Sequence, residues 1–173
     1  MPALVLDAPS PTIPRQWAEQ SQLLERQHDR LEALLADLIE RHAVPDQGRS
    51  PQQLDADRQD CGRLLRQLGF HLRLEERWLS RLHSFCGGHR SSHRQALTLA
   101  ADGWAVGQTL RGARLPWLMD LQEWFHQHRH GVDAIAYRRA AAQASTYPAA
   151  QLGEDLLKPR LCTTEIAPAS MGQ

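Results

Sequence analysis

Cysteine is scarce in this chain of 173 residues: Cys61, Cys86 and Cys162 are the whole complement, with no Cys-x-x-Cys pair. That argues against a disulfide framework and a cysteine-bound zinc site. Neither charge is in surplus, since 20 Lys and Arg balance 20 Asp and Glu. A chain without a basic excess lacks the electrostatic footprint of a nucleic-acid binder. No apolar run approaches the roughly 18 residues that a membrane-spanning helix needs. The opening stretch, MPALVLDAPSPTIP, has no basic segment ahead of an apolar one. The expectation is therefore no secretory leader and a cytoplasmic location. Strand-type alternation and internal repeats are missing too. What the chain does have is histidine: nine residues, scattered rather than run together. Hydrophobic residues at 42% suffice for one buried core at this length.

Prolines divide the sequence. Pro2, Pro9, Pro11 and Pro14 mark residues 1–14 as an irregular arm, because each interrupts helical hydrogen bonding. From about Arg15 to Ala43, Leu24, Leu31, Leu35 and Leu38 recur at the three-and-four spacing of an amphipathic helix. Ser50, Pro51 and Gln53 then read as an N-cap, a first-turn proline and a capping-box partner. A second helix is predicted to run to about Phe85, with Leu64, Leu68, Trp78 and Leu82 in register, and to stop at Cys86-Gly87-Gly88. A third covers about His89 to Arg111. Pro116 opens a fourth, with Trp117, Leu121, Trp124 and Ile135 along one face. The expected architecture is an all-α, up-down-up-down four-helix bundle over residues 15–143, followed by a flexible tail over 144–173. The exposed faces carry no composition that marks an oligomer interface.

The apolar stripes contain residues that do not belong in a core. Leu24 and Leu31 bracket His28; Leu68 is followed at helical spacing by His71, Glu75 and Trp78. The third helix begins His89, His93, Ala96, and the fourth runs Trp117, Leu121, Trp124, His128. Burying an unpaired polar group costs on the order of a few kcal/mol, and a carboxylate far more. Six such groups would cancel the whole stability of a domain, about 5–15 kcal/mol. A metal compensates them together, since neutral imidazoles and carboxylates are its ligands. His71 with Glu75, and His89 with His93, are i,i+4 pairs on one helix face and can chelate. His42, His83, His126 and His130 lie outside the stripes or near helix ends and are expected in solvent.

Asp133 fits only on a condition. It follows His128 by five residues, about 140° further round a regular helix. Both side chains reach the bundle axis only if the backbone takes up an extra residue, as in a π-bulge, or distorts at Gly131. Such an irregularity is predicted between His128 and Asp133.

With these pieces in order, the chain resembles the hemerythrins, including single-domain bacterial ones. The matching segments are ERQHDRL, FHLRLEERWL, HRSSH and LQEWFHQHRHGVDAIAY, one per helix over about residues 17–140. The resemblance implies a non-haem di-iron centre. His89, His93 and His128 would bind one iron, and His28 with His71 the other. Glu75 and Asp133 would bridge them, together with an oxo or hydroxo group, and dioxygen would bind at the open position of the two-histidine iron. Four positions depart from the family pattern: Leu72, Ser92, Phe125 and Arg129. They lead to the expectation of a changed or wetter pocket and fast autoxidation of the oxygenated form.

Three functions stay open on the sequence. The first is a non-enzymatic dioxygen-binding protein for storage, delivery or sensing. The second is a hemerythrin-like di-iron enzyme acting on peroxide or nitric oxide, and the third a metal-free helical interaction module. A ferritin-like enzyme is disfavoured: its Glu-x-x-His pairs would have to be Glu25–His28 and Glu123–His126, and the second pair falls off the inward stripe.

Overall fold

The computed structural model describes residues 13–146, and these are helical with no strand among them. Helix α1 spans Ile13–Ala43, α2 Pro51–Arg81 and α3 Gly87–Gly107. After a 3₁₀ turn at Arg111–Ala113, α4 (Arg114–Gln127), a π-helical segment (His128–Asp133) and α5 (Ala134–Thr146) follow without a break. The last three form one rod, so the described residues make four long helices. Helix α1 starts two residues inside the expected arm and α5 ends three residues inside the expected tail. The rest of both segments lies outside the described residues. No helix of the described residues is long and apolar enough to cross a membrane.

The helix ends follow local chemistry. Ser50 caps α2 as expected: its hydroxyl accepts from the Gln53 amide at 3.2 Å, and the Gln53 side chain accepts from the Ser50 amide at 2.8 Å. Two boundaries differ from the sequence reading. Helix α2 stops at Arg81 because His83 takes a left-handed backbone (φ 51°). Cys86 then begins α3 instead of ending α2, its Sγ accepting from the His89 amide at 3.5 Å. Helix α3 ends at Gly107, whose carbonyl is taken by the buried Arg114 guanidinium at 2.6 Å.

Helix α1 packs on α2, α4 and α5, α2 on α3, and α3 on α4. The apolar core they enclose is split in two. The larger part holds Leu31, Leu35, Leu64, Leu68, Trp117 and Phe125 with their neighbours; the smaller holds Trp17, Leu24, Leu79, Leu82, Ala136, Ala140 and Ala144. His28 on α1, Glu75 on α2 and His128 with Asp133 on the last rod fall between the two in sequence, and His71, His89 and His93 lie beside the larger one. Gly103 lets α3 approach the start of α4: a Cβ there would sit 1.9 Å from the Trp117 ring.

Ile135, expected inward, is instead 47% exposed, while Ala136 is buried. The cause is the π segment. Ile135 lies 18 residues, five regular turns, beyond Trp117. One extra residue taken up on the way puts Ala136, not Ile135, in phase. At the far end of the core Asp57, 1% exposed, gathers three arginines: Arg41 at 2.8 Å, Arg49 at 2.6 Å and Arg111 at 3.2 Å. Arg49 and Arg111 also donate to the Arg41 carbonyl, closing the C-terminus of α1. His42 is part of this end. It was expected in solvent but is buried, with Nδ1 2.7 Å from the Leu38 carbonyl.

Candidate metal centre

All four rods deliver polar side chains to the layer between the two apolar clusters. His28 comes from α1, His71 and Glu75 from α2, His89 and His93 from α3, and His128 and Asp133 from the two ends of the π segment; all seven are buried. The π turn resolves the register problem posed by Asp133, since its wider coil carries both residues to one face.

Five of the seven, Glu75, His89, His93, His128 and Asp133, have ligating atoms within 4.8 Å of one another and form a buried group able to hold a metal ion. His28 and His71 adjoin it, their rings 4.4 Å apart. Glu75 Oε2 lies 3.3 Å from His93 Nε2, 3.9 Å from His89 Nε2 and 4.0 Å from His71 Nε2. Asp133 divides its oxygens: Oδ1 is 2.9 Å from His128 Nε2 and 3.0 Å from His89 Nε2, while Oδ2 is 3.3 Å from His28 Nε2.

The outer nitrogens are mostly satisfied and the inner ones mostly are not. His71 Nδ1 meets Gln27 Oε1 at 3.0 Å, His93 Nδ1 meets Glu76 Oε1 at 3.0 Å, and His128 Nδ1 meets Ser92 Oγ at 3.0 Å. His28 Nδ1 faces Glu25 Oε2 at 3.4 Å. Such partners fix ring orientation and leave Nε2 as the free donor atom. Inside, Nε2 of His28, His71 and His89 and both oxygens of Glu75 and Asp133 have no hydrogen-bond partner. Their contacts are short without being aligned as hydrogen bonds. His93 Nε2 and His128 Nε2 stand 3.1 Å apart, each aimed at the other. Buried groups left in this state are costly unless something between them accepts their lone pairs. A cation is the partner whose chemistry fits: three imidazoles and two carboxylates with inward lone pairs are a metal-ligand set.

Charge in the layer is distributed unevenly. Burial, then the neighbouring His28, pushes His71 down to about 3, so it is a neutral imidazole. Burial alone would raise Asp133, but contacts with His128, His28 and His89 outweigh it and hold the carboxyl ionised. Burial would lower His28 and His93, yet Asp133 raises the first and Glu75 the second beyond their ordinary value. A metal ion needs the neutral form of both rings, so its binding competes with protons there.

The surround is aromatic. Trp124 stacks on His128 (4.6 Å, 19°), Phe85 covers His89 and His93, and Phe125 meets His28 and His71 edge-on at 5.6 and 6.3 Å. Tyr137 stacks against His28; burial, then the charges of Glu75 and Asp133, raises its phenol, so the hydroxyl keeps its proton. None of the four departures puts a polar group on the inner side of the layer. Leu72 and Phe125 are buried and apolar. Ser92 engages the outer side of His128, and Arg129 points away to Glu25, Asp29 and Glu32 at 2.9, 2.7 and 2.6 Å.

Sequence reasoning named the seven inward residues but missed what orients them. Gln27 precedes His28, Glu76 follows Glu75 and Ser92 precedes His93. Adjacency to a ligand was the available signal for each. Of the two Glu-x-x-His pairs, Glu25 and His28 do meet; Glu123 and His126 are exposed.

Fold and site together define an all-helical protein with a buried histidine–carboxylate cluster able to hold metal. Compared with known proteins, the chain matches no family model, no curated protein and no solved structure.

Proposed function

We propose that the chain is a non-haem di-iron protein of the hemerythrin kind, which takes up and releases dioxygen for storage, delivery or sensing in the cytoplasm. In this reading His89, His93 and His128 hold one iron, His28 and His71 the other. Glu75 and Asp133 span both, with an oxo or hydroxo bridge. The four rods run up, down, up and down, in keeping with the contacts between successive helices and of α1 with α4.

The observation that carries this reading is how the carboxylates are shared. Asp133 gives one oxygen to His89 and His128 and the other to His28. Glu75 reaches His89 and His93 of one set and His71 of the other through the single oxygen Oε2. Each carboxylate thus touches both histidine sets, as a bridge between two ions must. Seven donors also exceed the four that a structural zinc takes. Iron supplies the electrons and the open coordination position that dioxygen binding requires. The chain's own residues set the surroundings. Phe125 and Leu72 keep water from the His28–His71 side, Gln27 and Glu25 orient those two rings, and Tyr137 keeps a buried O–H beside them.

Iron counting and an optical spectrum test the proposal. The purified chain is reduced, then cycled between air and argon. Two irons per chain, with a visible band that appears in air and vanishes under argon, is the expected result. A band that collapses while added peroxide or nitric oxide is consumed would move the assignment to an enzyme. A chain without iron after anaerobic loading would overturn it in favour of a helical interaction module.

A further inference from the structure

The π turn that sends His128 and Asp133 inward sends their neighbours His126 and His130 to the surface, where both are exposed. Their rings lie 4.5 Å apart. Across from them on α1 stands Glu32, and the ligating atoms of the three residues lie within 4.8 Å of one another. We propose that His126, His130 and Glu32 form a second, solvent-facing site for a borderline divalent cation of the zinc, copper or nickel class.

Three features carry this beyond proximity. First, the two histidines are four residues apart on one helical rod, the spacing at which side chains meet and chelate. Second, Glu32 is only half engaged. Its Oε2 accepts from Arg129 at 2.6 Å, while Oε1 is buried with no hydrogen-bond partner. Third, the local charge favours a cation. The positive charge of Arg129 is met by three carboxylates, Glu25, Asp29 and Glu32.

The donor set selects the class of ion. Two imidazoles and one carboxylate suit zinc, copper or nickel, whereas magnesium and calcium prefer an all-oxygen shell. Nitrogen and oxygen ligands about 2.0–2.2 Å from zinc, in tetrahedral array, lie about 3.3 Å from one another. The three side chains need to close by at most about 1.5 Å to reach that spacing, which exposed imidazoles achieve by rotamer change. Three protein ligands leave at least one position to water or an outside ligand. The site is also tied to the buried layer. Arg129 Nη2 holds Glu25 Oε2, which faces His28 Nδ1 at 3.4 Å. A cation that takes Glu32 leaves Arg129 to Glu25 and Asp29.

Zinc titration of the full chain, followed by calorimetry, tests the site. Wild type is expected to bind one zinc per chain more than the His126→Ala/His130→Ala variant. Glu32→Gln is expected to weaken that equivalent at least tenfold, and His83→Ala, at an exposed histidine elsewhere, to leave it unchanged. Far-ultraviolet circular dichroism checks that the variants remain folded. Because the comparison is between chains with the same buried cluster, any zinc taken up there counts equally in both. Equal zinc stoichiometry and affinity in wild type and the double variant would overturn the proposal.

Discussion

Deleting Gly131 should leave the protein folded and metal-competent, whereas inserting one alanine after it should not. The π segment contains one residue more than a regular helix would place between His128 and the face that Ala136 continues. Removing that residue turns the His128–Asp133 spacing into i,i+4, about 40° apart on a regular helix and still on one face. Ala136, Ala140 and Ala144 also keep their phase with Trp117. Gly131 itself has open space around its Cβ position, so no packing is lost. The expected cost is within about 2 kcal/mol, the range of ordinary substitutions. The insertion has the opposite effect. It turns α5 by about 100°, exposes the three alanines and brings Ile135, Arg139 and Gln143 to the core in their place. Arg139, now exposed, would be buried without a partner, at several kcal/mol. Withdrawing Asp133 would add to this by taking from His28, His89 and His128 the carboxylate that faces them. The total passes about 5 kcal/mol, comparable with the whole stability of a small domain. Urea unfolding and metal analysis of both variants provide the assay. If the deletion loses as much stability and metal as the insertion, the register explanation of this segment is wrong.

Gly103→Ala should destabilise by about 1–3 kcal/mol through overpacking against Trp117, even though alanine is the better helix former. Gly62→Ala, whose added methyl meets only Arg66 at 3.4 Å and Trp104 at 3.8 Å, should stabilise by up to about 1 kcal/mol; denaturant midpoints of the two separate close approach from propensity. Asp57→Asn removes the common partner of Arg41, Arg49 and Arg111 and should cost about 2–3 kcal/mol. That is below the full figure for a broken buried pair, because the guanidiniums retain contact with water. His42 is held below its ordinary pKa, first by burial, and opposed by the Leu38 carbonyl, which raises it. The unfolded chain therefore binds the extra proton below about pH 6.5, so stability from this group is complete above that pH and is lost as pH falls. Wild type should lose up to about 1.4 kcal/mol more per pH unit than His42→Gln between the unfolded and folded pKa values; parallel pH profiles of the two would contradict it.

The helices, the Ser50 cap and the seven inward polar residues were legible because each is a periodic or local signal. Polar residues in an apolar stripe announce themselves at any position that a 3.6-residue period can index. The π segment was legible for a related reason: Asp133 could join the layer only if the backbone broke period. The same break misplaced Ile135, because the stripe was extended across it in unbroken phase. Contacts between distant helices were not legible. Nothing in the charge pattern pairs Asp57 with Arg111 or Arg129 with Glu32, since many acidic and basic residues could exchange partners. His42 was missed because a position at a helix end says little about what folds over it. The stop of α2 was placed too late, at Cys86, which caps the start of α3, whereas the left-handed His83 makes the stop.

The polar layer that parts the core also divides the protein's cooperativity. The cluster of Trp17, Leu24, Leu79, Leu82 and the three alanines of α5 shares no buried apolar contact group with the larger one. It is the smaller of the two, and three of its members are alanines. Three rods run through both ends, but the side chains that lie between the two clusters are histidines and carboxylates, so whatever neutralises those groups also couples the two ends. With the layer weakened, amides around Ala136–Ala144 should exchange with solvent by a local opening that spares the Leu35–Leu64–Trp117 end. A centre built to hold a ligand would then double as the clasp that makes the chain unfold all at once.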